Sequence, residues 1–159
     1  MIDLSARINV DDVNDVTPTY PLHPQLLADC HRLGCLSATH LLLHRNAAVP
    51  WFILVSETDL ANLLDLPAEQ REAVLADCKR MSDYLGETLS DPKVNVAWIG
   101  HLVPALHVHV IGRRPGDPCW PKPVWDHLET VRAYSAHEIR TIRDTLERSS
   151  SQTRNVTHQ

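Results

Sequence analysis

The 159-residue chain has no excess of positive charge, no long apolar run and no closely spaced cysteine pair, and each absence removes a class of protein. A formal charge of −5 at pH 7 excludes a chain whose whole surface clamps nucleic acid. A local cluster of backbone amides and cations can still hold a small anion. The apolar runs are only a few residues long, so no segment reaches membrane-spanning length and no membrane partner is expected. Met1-Ile2-Asp3-Leu4-Ser5-Ala6-Arg7 carries an acid early and lacks the apolar stretch of a secretory signal, so the expected location is cytoplasmic. Cys30, Cys35, Cys78 and Cys119 form no CxxC pair, and disulfides are not expected in a reducing compartment. A zinc site from Cys30, His31, Cys35 and His40 would depart from the common structural spacings, and no metal is expected. No internal repeat is visible.

What is present is an ordinary globular balance, 43% apolar and 22% charged, in a chain long enough for one real core. Residues 1–22 read as a polar N-terminal arm, 23–149 as the domain and 150–159 as a polar tail. His23 to Cys30 suits a short helix that stops before Gly34. Thr39 to His44 and Trp51 to Ser56 are apolar and β-branched, as strands are, with a turn at Arg45 to Pro50. A long helix follows: Pro67 suits its first turn, Glu69 and Glu72 complement its dipole, and Leu64, Val74, Leu75, Cys78, Met81, Leu85 and Leu89 recur near helical spacing. Asp91-Pro92 ends it. Lys93 to Ile99 and Ala105 to Ile111 read as strands around a loop at Gly100 to Pro104, with Gly112 as the break and a last helix over 135–148. Strands interrupted by one helix predict an α+β fold with an antiparallel sheet.

Alternation fixes the geometry of the segment that follows the loop. Leu106, Val108 and Val110 share one strand face, which enters the core, while Ala105, His107 and His109 share the other. Two imidazoles on a rigid strand can ligate a metal, though a site needs a third ligand and none is marked. Alternatively one imidazole attacks phosphorus, forming a phosphoramidate that water opens, while its neighbour hydrogen-bonds the phosphate or protonates the leaving group. Amides of the Gly100 to Ala105 loop are suited to the phosphate oxygens.

Leu106-His107-Val108-His109-Val110-Ile111 resembles the histidine-triad (HIT) signature, His-φ-His-φ-His-φ-φ. The likeness extends over roughly residues 23–135. It includes His23 to Leu26, His31 to Gly34, Pro50-Trp51 and Trp120 to Trp125, and is greatest to a bacterial branch described as diadenosine tetraphosphate hydrolase-like. The resemblance implies a HIT-like antiparallel sheet with one long helix and a C-terminal helix. It implies His107 as nucleophile and His109 at the phosphate and leaving group. Asn95, Gly100 and His101 would hold the phosphate, Asn46 would lie near the ribose, and Leu43 and Phe52 would line a nucleoside pocket. It further implies a homodimer, a small nucleotide-like substrate and no cofactor.

The chain departs from the pattern at three places. Ala105 occupies the first triad position, Ala47 stands where an acid often meets the ribose, and Trp51 and Phe52 follow Pro50 where the family often has His. Either His101 replaces the missing polar partner, or the site serves another ligand. The expected function is hydrolysis of dinucleoside polyphosphates or nucleoside phosphoramidates through a nucleotidyl-histidine. The alternatives are a nucleotide-binding module with little turnover and an enzyme repurposed for a non-nucleotide metabolite. Arg113 and Arg114 suit phosphate contact or a solvated surface, Trp120 and Trp125 suit packing or a cover for the pocket, and His44 suits an approach to it.

Overall fold

The computed structural model describes residues 20–156, with side chains described through residue 148. The N-terminal arm therefore lies outside the described residues except for its last three. Of these, Leu22 is buried and Tyr20 donates its hydroxyl to the Thr58 carbonyl at 2.7 Å. Within the described residues, β1 (Cys30–Cys35), β2 (Thr39–His44), β3 (Trp51–Ser56), β4 (Lys93–Ala97) and β5 (His107–Arg113) form one sheet in the order β1-β2-β3-β5-β4. Every pairing is antiparallel, which bears out the α+β expectation. Three α-helices accompany it: α1 (Pro24–Asp29), α2 (Ala68–Thr88) and α3 (Ala136–Val156). No helix among the described residues is long and apolar enough to cross a membrane.

One face of the sheet lies under α2 and α3. Leu41, Leu43, Phe52, Leu54, Val108 and Val110 meet Val74, Cys78, Met81, Tyr84 and Leu85 of α2 there. The helical spacing of those five is what turns one stripe of α2 inward. Leu64 and Leu75, which the same periodicity includes, fall on exposed positions. α3 begins with a capping box: Ser135 Oγ accepts the Glu138 N–H at 3.2 Å and Glu138 Oε2 accepts that of Ser135 at 2.8 Å. It runs to Val156, past the expected end at residue 148.

Four local details differ from the sequence expectation. Cys30 starts a strand rather than ending a helix. β1 was hidden because Gly34, at φ 137°, shifts its register against β2, so burial along it does not alternate. β4 ends at Ala97, two residues early. β5 begins at His107, two residues later than the alternation suggests, and continues through Gly112 to Arg113. Gly112 is no break: a Cβ there would stand 2.6 Å from Leu89 and 2.8 Å from Leu85, so the missing side chain is what lets α2 approach the sheet.

Candidate active site

The strand register brings one set of side chains to the face opposite α2. His107 lies across from Val55, His109 lies between Ile53 and Ala97, and Ile111 lies between Trp51 and Asn95. Because partners in register share a face, His107, His109, Trp51 and Asn95 stand on one side with Leu42 and His44 of β2. Loops close this face. Val103 and Ala105 come from the 98–106 loop, and Val124 and Trp125 from the irregular stretch after β5. Both imidazoles are largely covered, His107 at 5% and His109 at 7% relative exposure.

Each ring is fixed by one hydrogen bond, and the two bonds have opposite sense. His107 Nδ1 lies 2.7 Å from the Ala105 carbonyl oxygen. A carbonyl can only accept, so Nδ1 carries a proton, and in the neutral ring Nε2 then keeps its lone pair. His109 Nδ1 lies 3.0 Å from Trp51 Nε1. An indole N–H can only donate, so His109 carries its proton on Nε2. The rings meet edge to face with centroids 4.9 Å apart. Burial, with the nearby His107 and His44, pushes His109 down to about 3, so it is neutral at ordinary pH. The pair therefore presents a nucleophilic nitrogen beside a neutral N–H donor.

Trp51 is the hub of this cluster. His44 stacks on it at 4.4 Å and 15°, and Trp125 meets both Trp51 and His109 edge-on at 5.8 and 5.4 Å. His44 itself accepts the Asn46 N–H through Nδ1 at 3.1 Å, and burial lowers its pKa. The stretch carrying Trp125 is anchored by a buried ion pair. Arg113 donates through Nε and Nη2 to the two Asp117 oxygens at 2.7 and 2.9 Å. Asp117 also accepts the Arg114 and Cys119 N–H groups. Burial alone would raise the Asp117 carboxyl, but these donors hold it below the usual carboxylate range. Arg113 is thus committed to structure and Trp120 lies against it, while Trp125 is the tryptophan of this stretch that meets His109.

The other residues expected at the site separate into two groups. Asn95 shares the histidine face, and no hydrogen bond holds its side chain among the described residues. Gly100 and His101 are exposed on the loop before β5. Asn46 is instead a clamp: its amide donates to the Thr130 carbonyl at 2.9 Å and accepts from Ala48 and Arg132 at 3.1 Å each. Leu43 and Phe52 stand on the other face, because the alternation that turns Trp51 toward the histidines turns them into the core under α2. Phe52 lines a cavity of about 440 Å³ with Tyr84, Tyr134 and Arg114, on the side away from the imidazoles. The four residues weighed for zinc are not gathered. Cys30 is buried in the core, its thiol pushed up to about 12, and neighbouring His31 faces Tyr134. Cys35 and His40 approach each other at 3.3 Å. No metal-ligating cluster occurs among the described residues.

Trp51 is not among the residues that the sequence marks for the site, whereas Trp125 and His44, weighed as a cover for the pocket and an approach to it, both meet Trp51. Trp51 could have been found by counting register, since a residue opposite Ile111 must flank His109 on the same face.

Comparison with known proteins agrees with this geometry. The HIT domain family matches residues 26–116. A histidine triad protein from Bradyrhizobium japonicum is 34% identical, with 83% of this chain and 98% of that one covered at a TM-score of 0.76. One from Marinobacter aquaeolei is also 34% identical, covering 84% and 97% at 0.76. One from Sinorhizobium meliloti is 29% identical, covering 82% and 97% at 0.77. No curated protein matches the chain significantly.

Proposed function

The chain belongs to the histidine-triad family, whose members are in general hydrolases and transferases acting on nucleotides, and on that premise we propose that it hydrolyses a nucleotide phosphate through a nucleotidyl-His107 intermediate. The observation that carries this reading is the 2.7 Å bond from His107 Nδ1 to the Ala105 carbonyl. It bears on the alanine at the first triad position. The backbone of that residue, not its side chain, orients the nucleophile, so the substitution leaves Nε2 free for attack. Asn95 and the loop at Gly100 and His101 supply donors for the phosphoryl oxygens, and His109 adds its Nε2–H. Candidate substrates are dinucleoside polyphosphates or nucleoside phosphoramidates, as the family resemblance implies. We further place the protein in the cytoplasm as a homodimer. Edge strand β4 supports pairing, since it ends one side of the sheet and leaves Val96 half exposed.

A second reading is a nucleotide-binding module with little turnover. Buried Ala47 favours it, because a ribose there gains no charge-assisted bond. A product assay with a dinucleoside polyphosphate separates the two. Product from the wild type and none from His107→Ala supports hydrolysis. Binding by calorimetry without product from the wild type supports the module.

A further inference from the structure

The Trp51 indole and the Ala105 carbonyl set opposite tautomers on adjacent rings, and this bears on which leaving groups the site can release. The indole nitrogen has no lone pair to offer, so at 3.0 Å it blocks the one nitrogen of His109 where a second proton would enter. Among the described residues, the surroundings give that proton no compensation. β3 presents Trp51 and Ile53, β4 presents Ala97, and the stretch after β5 presents Trp125. The ionisable neighbours are imidazoles: His107 on the same strand and His44 from β2, whose Nδ1 is occupied by the Asn46 N–H. His40, farther along β2, is paired with Glu57 at 2.8 Å. Neutral imidazole is a hydrogen-bond donor but not a useful acid near neutral pH.

Building on the nucleotidyl-His107 reading, we propose that Trp51 makes His109 a donor with no proton to give, so that the site cleaves phosphorus–oxygen bonds to groups leaving as stable anions, phosphate or carboxylate, and spares phosphorus–nitrogen bonds to amines. In the first step the His107 Nε2 lone pair forms the P–N bond. The P–O bond to the leaving group breaks, and its electron pair departs with the oxygen as an anion that needs no proton. The ring, now bearing phosphorus on Nε2 and a proton on Nδ1, is cationic and keeps its bond to the Ala105 carbonyl. In the second step a water oxygen bonds to phosphorus, the P–N pair returns to Nε2, and the water proton passes to solvent. The His109 Nε2–H stays on its nitrogen throughout and donates to the phosphoryl oxygen that gathers charge. An amine would have to leave with a proton that neither ring nor Ala105 supplies. Trp51 is thus a positioning residue that acts through His109.

The test measures kcat/KM for a dinucleoside polyphosphate, an acyl adenylate and the phosphoramidate of a primary amine. Histidine ¹⁵N shifts are followed in parallel across the acid-to-neutral range, in the wild type and in Trp51→Phe. The two oxygen-leaving substrates should turn over, with the phosphoramidate slower by about 10²–10⁴-fold, the usual worth of a general acid. His109 should remain one neutral Nε2–H tautomer in the wild type and begin to titrate in Trp51→Phe, with the discrimination narrowing. Comparable, His107-dependent cleavage of the phosphoramidate would overturn this inference and leave the hydrolase reading standing. Wild-type His109 protonating near neutral pH would overturn it as well. No His107-dependent turnover of any of the three would overturn both. Should Trp51→Phe fail to fold, the wild-type substrate ratio and shifts still decide.

Discussion

The two faces of the sheet come from the same strands, yet they are closed in different ways. On one, helix side chains repeat at helical spacing against Leu54, Val108 and Val110, and the contact is almost wholly apolar. On the other, the cover is loop, and it is held by particular polar bonds: Arg113 to Asp117 and Asn46 to the 130–132 backbone. Burying apolar area is non-directional and tolerates small shifts, whereas a hydrogen-bonded loop fixes individual atoms. The division suits the two tasks. The helix face supplies stability, and the loop face holds two imidazole rings in defined tautomers within a partly apolar surround.

Substitutions on the two faces should therefore fail differently. The largest effect is expected from Asp117→Ala, which leaves the Arg113 guanidinium buried and unpaired. It should cost about 3–5 kcal/mol in denaturant unfolding and alter Trp125 fluorescence as its anchor loosens. Leu54→Ala, at a fully buried position facing α2, should cost about 2–5 kcal/mol while leaving turnover per folded molecule unchanged. Gly112→Ala forces Leu85 and Leu89 aside and should cost about 1–3 kcal/mol, read as a lower midpoint with an unchanged slope. The most diagnostic effect, modest per pH unit, is in the pH dependence of stability. His109 stays neutral in the fold down to about 3, while in the unfolded chain it takes a proton near 6.5. Its contribution to stability is intact above that upper value and is lost as pH falls through the window toward the lower. The slope it adds is at most about 1.4 kcal/mol per pH unit, and His109→Gln should remove it. A slope that survives the substitution would assign the acid sensitivity elsewhere, His44 being the next candidate because its pKa is shifted the same way.

Much of this division can be read from residue order, and the rest fails for definite reasons. Alternation through Leu106 to Ile111 places the two histidines opposite the core because a strand buried on one face by a helix has no freedom of register. The α2 pattern is legible for the same reason, since a helix lying on a sheet must repeat its apolar stripe. β1 is not legible, because a bulge at Gly34 removes the alternation by which short strands are recognised. The resemblance draws Leu43 and Phe52 to the nucleoside, although counting one residue on from Leu42 or Trp51 sets them on the helix face. The tautomers lay beyond any local pattern. They depend on a tryptophan 58 positions away from His109 and on a backbone carbonyl, and neither partner is encoded by the motif.

The central claim is that His107 Nε2 bonds covalently to phosphorus. Intact-mass spectrometry of the wild type quenched during turnover of a dinucleoside polyphosphate tests this most directly. The account requires one added nucleotidyl group, acid-labile as a phosphoramidate is, mapped to His107 and absent from His107→Ala. Product formed at full rate by a folded His107→Ala, or an adduct mapped to another residue, would contradict it.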